Sequence, residues 1–84
     1  MRVNVKLVGW MREYLADDIE KFDDRDFDLP DGQNLLELID RFGFRQETPF
    51  MVMRNGDRVL ESALAATALA DGDRLVFIPP LKGG

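Results

Sequence analysis

The residues best suited to chemistry are the last six of the sequence. Pro79 and Pro80 follow the apolar run 75–78, and the sequence ends Leu81-Lys82-Gly83-Gly84. Because proline fixes φ and donates no backbone hydrogen bond, a strand does not continue through both positions. Glycines have no Cβ, so the end is thin enough to thread a narrow channel. Six extended residues span at most roughly 20 Å. The segment is predicted to be an arm that presents the Gly84 carboxylate.

That carboxylate could take part in acyl transfer. A terminal carboxylate is ionised at neutral pH, which makes it a poor electrophile. It therefore needs activation, most simply as a mixed anhydride with a phosphate. The alternative is an ordinary disordered terminus, as most chain ends are.

The composition removes most other chemistry. The chain has no histidine and no cysteine, which excludes the commonest general base, a thiol nucleophile and a disulfide scaffold. Asp24, Asp26 and Asp28 resemble the start of a calcium-binding loop. The match fails at Leu29, where glycine is needed, and at Leu35, where a bidentate glutamate is needed. We therefore predict no metal site and interpret the acidic stretch as a solvated strand edge.

Charge and hydropathy limit the partners and the location that we expect for the protein. The net charge of −5 weighs against nucleic acid, which selects basic patches. No apolar run approaches 18 residues, so neither a membrane span nor a signal peptide is predicted. We expect a cytoplasmic protein that is monomeric when free.

The first half of the chain supplies elements that could position the tail. Val3, Val5 and Leu7 alternate with polar residues and predict a strand, and a helical turn is expected at 10–15. Alternation at 26–29 predicts a second strand, paired with the first as a hairpin.

The clearest helix in the sequence follows Asn34. This residue is a good N-cap, with Glu37 placed for a capping box. Leu35, Leu38, Ile39 and Phe42 form one apolar stripe, and Gly43 suits the left-handed residue that ends a helix. The sequence therefore predicts a helix that packs this stripe on a sheet.

The second half predicts three more strands. Residues 50–53 are apolar and suggest a central strand covered on both faces. Asn55-Gly56 favours a two-residue hairpin turn to a short strand at 58–60. The alanine-rich stretch 63–70 is predicted as a helical turn or loop, and 74–78 as the last strand.

Together these elements predict a single α+β domain. A mixed sheet of about five strands packs on one main helix, and the first and last strands run parallel if they are neighbours. Residues 1–78 form the globular body and 79–84 the extended tail. Phe77, Met51 and Met53 are the candidates for an exposed docking surface beside that tail.

At this point the sequence resembles the ubiquitin-like β-grasp sulfur carriers, and within them the small subunit of molybdopterin synthase (the MoaD family). The resemblance rests on several stretches, of which the ending is the most specific: Val3–Val8 with Arg12–Leu15, Phe27–Gly32 with Asn34–Leu38, Asn55-Gly56, Asp71–Leu75, and Ile78-Pro79-Pro80 through Gly83-Gly84. Lys82 departs from the small residue often found there, and the 63–70 stretch is more alanine-rich than the pattern.

The resemblance implies a function in which catalysis belongs to partners, so the chain itself is not an enzyme. A ubiquitin-activating-like (MoeB-like) adenylyltransferase would use ATP to adenylate Gly84, and the chain itself would bind no cofactor. Sulfur from a persulfide would then give a C-terminal thiocarboxylate. The tail residues Pro80, Leu81, Lys82, Gly83 and Gly84 would insert into the large (MoaE-like) synthase subunit.

The resemblance leaves alternatives open. The same chemistry serves thiamin thiazole, cysteine or tungsten-cofactor synthesis. A ubiquitin-like modifier would instead join Gly84 to a lysine amine, and a plain binding module would use only its sheet face.

Overall fold

The computed structural model of the chain describes residues 1–44 and 49–80. Five strands, one α-helix and two short 3-10 helices make up this part. The strands are β1 (Arg2–Leu7), β2 (Asp24–Asp28), β3 (Met51–Arg54), β4 (Asp57–Val59) and β5 (Arg74–Ile78). The helix α1 spans Leu35–Phe42, and the 3-10 helices span Gly9–Tyr14 and Glu61–Ala63.

The strands form one mixed sheet in the order β2-β1-β5-β3-β4. β1 and β5 are parallel neighbours, with Val5 opposite Leu75, whereas the other three pairs are antiparallel. The predicted antiparallel pairing of the first two strands is confirmed. The first and last strands are neighbours and run parallel, as expected for that case. A parallel pair needs a long crossover connection, and the chain between β1 and β5 supplies it with the other elements.

The core lies between α1 and one face of the sheet. Val3, Val5 and Leu7 point inward from β1, because successive side chains of a strand alternate between faces. The predicted stripe of α1 (Leu35, Leu38, Ile39, Phe42) is fully or almost fully buried against them. We call this buried side of the sheet the inner face and the opposite side the outer face.

The ends of α1 follow from local chemistry. The Glu37 backbone N–H donates to Asn34 Oδ1 (2.8 Å), and the Asn34 N–H donates to Glu37 Oε1 (3.0 Å), which completes the predicted capping box. Gly43 adopts φ +82° and ends the helix as predicted.

Several details differ from the sequence-based predictions, apart from shifts of one or two residues at strand ends. Leu29 lies just outside β2, although it is buried. β3 is fully covered on its inner face only, since Val52 is buried whereas Met51 on the outer face is 36% exposed and Met53 is partly buried. The alanine-rich stretch starts in a 3-10 turn at Glu61–Ala63 and continues as turns. None of the helices in the described residues is long and apolar enough to span a membrane.

Candidate functional site

The tail leaves the body from β5, which lies between β1 and β3. The Val8 N–H donates to the Phe77 carbonyl (3.0 Å) and ties the end of β5 to the first 3-10 helix. Pro79 is buried and Pro80 is exposed. Gly9 has φ +60°, and a Cβ there would lie 3.7 Å from Pro79 Cγ. The chain is therefore held by the body up to Pro79.

The remaining tail residues lie outside the described part of the chain. Leu81, Lys82, Gly83 and Gly84 carry the predicted chemistry, and their insertion into partner active sites stays a prediction. Pro80 is exposed where the described chain ends.

An apolar patch adjoins the point where the tail begins. Met51 is opposite Ile78, and Met53 is opposite Val76, in the β3–β5 register. Since Val52, Leu75 and Phe77 point inward, these four side chains share the outer face. Met51 is exposed and the other three are partly buried. We call Met51, Met53, Val76 and Ile78 the outer patch.

The prediction of Phe77 as a docking residue is wrong. Its side chain is fully buried, in a cluster of phenylalanines. Its ring centroid lies 5.3 Å from Phe44, 5.8 Å from Phe50 and 6.3 Å from Phe42. Alternate residues of β5 lie on the same face, so Arg74 shares a face with Val76 and Ile78. The charge of Arg74 is the sequence feature that indicates that this face is turned to solvent. Val76 and Ile78 are therefore the residues of the patch that the sequence analysis missed.

The other half of the outer face is polar. Arg2 and Asn4 of β1 face the acidic edge strand β2, and Asn4 Nδ2 donates to both Asp24 (2.7 Å) and Asp26 (2.9 Å). Arg2 adds an ion pair to Asp26 at 3.5 Å. Within residues 1–44 and 49–80, no cluster of three or more acidic side chains could hold a metal ion. The edge strand is solvated, as predicted, and two of its carboxylates pair with Asn4 and Arg2 of β1.

Two carboxyl groups in the described residues have shifted pKa values, and neither is poised for proton transfer. A hydrogen bond from Lys21 and its positive charge lower the pKa of the exposed Glu13. For Asp73, burial raises the pKa, but hydrogen bonds from Ala70, Asn55 and Arg54 outweigh burial and lower it. Both groups are held ionised by structural partners.

Comparison with known proteins gives the family. The model of the ThiS family matches residues 5–84, and no curated protein matches the chain.

Three solved structures share the fold. SAMP1 from Haloferax volcanii superposes with a TM-score of 0.68 at 20% identity, covering 100% of both chains. The thiamine biosynthesis protein ThiS from Geobacter metallireducens has a TM-score of 0.62 at 23% identity, covering 96% of this chain and 99% of its own. The small archaeal modifier protein 1 (SAMP1) from Methanosarcina acetivorans has a TM-score of 0.60 at 19% identity, covering 99% of this chain and 96% of its own. These likenesses show the β-grasp fold.

A family model that spans nearly the whole chain shows more than the fold. ThiS-like small carrier proteins are not catalytic themselves and work with activating enzymes and partner proteins. The chain belongs to the ThiS family, within the MoaD/ThiS group of ubiquitin-like β-grasp proteins.

Proposed function

We propose that this protein is a sulfur carrier whose C-terminal Gly84 is converted to a thiocarboxylate. The Gly84 carboxylate attacks the α-phosphate of ATP on a ubiquitin-activating-like adenylyltransferase and displaces pyrophosphate. The terminal sulfur of a partner's persulfide then attacks the acyl carbon and AMP leaves. A second partner thiol cleaves the resulting S–S bond, forming a disulfide and releasing the thiocarboxylate.

The observation that carries the proposal is that the Gly-Gly end follows, within a few residues, the strand that contributes Val76 and Ile78 to the apolar outer patch. The family match extends to Gly84. β5 places Ile78 of the patch two residues before Pro80. A partner that docks on Met51 and Ile78 therefore has the tail within reach of its active site. Apolar contact surfaces of this kind are typical of interfaces between proteins.

For the pathway we propose molybdopterin formation. The support is the Pro79-Pro80 lead-in, which resembles the small subunit of molybdopterin synthase. The tail would then enter a large, MoaE-like subunit, with Pro80, Leu81 and Lys82 lining the entry and Gly83-Gly84 reaching the reacting atoms. The activating enzyme would be MoeB-like.

Two other functions have specific support. The family model and the Geobacter metallireducens structure favour a carrier for thiamin synthesis. The SAMP1 structures favour a protein modifier that joins Gly84 to a lysine amine. Both keep activation of Gly84. The thiamin carrier would form the same thiocarboxylate and pass its sulfur to a different acceptor, whereas in the modifier a lysine amine attacks the acyl carbon.

The test is the mass of the protein after co-expression with its activating enzyme. We expect intact-mass and C-terminal peptide spectra to show one oxygen replaced by sulfur on Gly84. A variant that lacks Gly83-Gly84 is the matched control and should stay unmodified. An unmodified wild-type mass, under conditions that convert a control carrier, would contradict the proposal.

Pathway and modifier functions are separated by different measurements. Rescue of a molybdopterin-deficient strain and not of a thiamin-requiring strain supports the molybdopterin pathway, and the reverse supports thiamin. Isopeptide-linked conjugates that need Gly84 would support a modifier. Full function without Gly83-Gly84 would contradict every function based on the tail.

A further inference from the structure

An apolar groove runs along the edge of the domain between α1 and β4. It has a volume of about 440 Å³. Side chains from α1 form one wall, and β3, β4 and the second 3-10 helix with the residues after it complete the groove. Its apolar lining includes Leu36, Ile39, Phe44, Val52, Val59 and Leu64. Only Met51 belongs both to the groove rim and to the outer patch. The groove is therefore largely separate from the outer patch.

The strand beside the groove has a free edge within the described residues, 1–44 and 49–80. β4 is the last strand in the sheet order and has β3 as its neighbour on one side only. Leu60, which directly follows β4, is 57% exposed and is the most exposed large hydrophobic side chain in residues 1–44 and 49–80. An unpaired edge is a template for another extended segment. The free edge of β4, the groove and the exposed Leu60 are therefore next to one another.

The charges around the groove favour one kind of partner. Asp40 stands on the α1 wall and Glu61 on the opposite wall, and both are exposed. Arg58, the basic residue of the lining, lies on β4. Among the described residues, no ion pair joins any of these three side chains. A cation on either side of an apolar anchor would therefore meet an unpaired carboxylate on each wall.

We propose that this groove and the free edge of β4 bind an extended segment of a partner protein in which basic residues flank an apolar side chain. The main chain of the segment pairs with β4, and alternate side chains enter the groove, as in other strand-addition complexes. The flanking cations contact Asp40 and Glu61.

This contact goes beyond the proposed sulfur chemistry and does not depend on it. Of the outer patch, only Met51 borders the groove, so Met53, Val76 and Ile78 stay accessible while the groove is occupied. One partner can thus hold the carrier while a second acts on Gly84. Peptide binding tests the groove, whereas the mass of the C-terminal peptide tests the proposed function, so failure of one proposal can be told from failure of the other.

The test uses the full-length, isotopically labelled protein and a blocked hexapeptide of alternating lysine and isoleucine. We expect saturable NMR shift changes at the amides of Arg58, Val59, Leu60 and Ala65. A hexapeptide of alternating glutamate and isoleucine should bind more weakly. Two exposed ion pairs contribute little each, so the difference should be about five- to tenfold in Kd.

Charge reversal on the protein provides the second arm. The double variant Asp40→Lys/Glu61→Lys should weaken binding of the lysine peptide by a similar factor. The control Glu20→Lys/Asp28→Lys makes the same change in net charge at exposed positions outside the groove and should bind like wild type. The dispersion of each spectrum shows that the variant is folded.

Several results would overturn the inference. These are no saturable binding of the lysine peptide, equal weakening by both double variants, or shift changes confined to the outer patch or to β2. Shift changes that depend on protein concentration without peptide would make a second copy of this chain the occupant instead.

Discussion

Asp73 and Arg54 form the most buried ion pair in the described part of the protein, with Arg54 Nε 2.9 Å from Asp73 Oδ2. The Asp73 residue is only 4% exposed, whereas about a third of the Arg54 side chain remains accessible. Asp73 also accepts from Asn55 Nδ2 (2.9 Å) and from the Ala70 N–H (2.8 Å). One carboxylate therefore ties the β3–β4 turn to the loop that starts β5, the strand that carries the tail.

Replacing Asp73 should destabilise the fold. In Asp73→Asn, one carboxylate oxygen becomes an NH2 group that faces donors from Arg54, Asn55 or Ala70. Arg54 can turn to water, so the loss should be about 1–3 kcal/mol, the cost of unsatisfied buried donors, rather than that of a fully buried charge. Urea unfolding of both proteins measures it. Arg54→Met should cost less, because Asp73 keeps two donors. Equal stability of wild type and Asp73→Asn would contradict this account.

The stabilisation from Asp73 should also depend on pH. Its pKa is lowered in the folded protein, because the three donors outweigh burial, which alone would raise it. The contribution is therefore fully present above the unfolded value of about 3.9 and is lost as the pH falls through the lower folded pKa. The stability difference between wild type and Asp73→Asn should be constant near neutrality and shrink in acid below about pH 4. A difference that stays constant or grows in acid would contradict the assignment.

The capping box gives a third prediction. Asn34→Ala removes the acceptor for the Glu37 N–H and should cost about 1 kcal/mol. For a domain of this size that corresponds to a drop in Tm of about 4–8 °C. Glu37→Ala removes the reciprocal bond only and is expected to cost less, since Asn34 still caps the helix. The double variant should fall short of the sum of the two losses, because the two bonds share one end of α1.

Much of this fold could be predicted from local patterns. The Asn34 cap, the stripe of α1 and the Asn55-Gly56 turn depend on neighbours in sequence, and each is present. Asn55 and Gly56 both have positive φ, as such a turn requires. The inward direction of Phe77 was harder to predict, because β5 is apolar on both faces and periodicity gives little contrast. The groove beside β4 depends on packing between distant segments, which no local pattern encodes.

Gly43 ends α1 in a place that has no room for a side chain. A Cβ there would lie 2.8 Å from Ala16 Cβ and 3.2 Å from its backbone, in addition to the strain of φ +82°. Gly43→Ala should therefore destabilise more than the strain alone, which is about 1–2 kcal/mol. Gly56→Ala is the matched control, since φ is +88° and the space is open. Denaturant unfolding should give the larger loss for Gly43→Ala. Similar losses would show that Ala16 moves aside at little cost.

Substitutions of Phe77 and of Met51 should distinguish a residue that stabilises the fold from one that contacts a partner. Phe77→Ala removes a buried ring from the aromatic cluster and should cost about 3–5 kcal/mol. Met51→Ala lies on the outer patch and should change the free energy of unfolding by no more than about 0.5 kcal/mol. Urea unfolding measures both. In a reaction with the activating enzyme, Met51→Lys should slow modification of Gly84 while stability stays close to wild type, because a charge disrupts an apolar contact. If Met51→Lys reacts as fast as wild type, the outer patch is not the surface on which that enzyme docks.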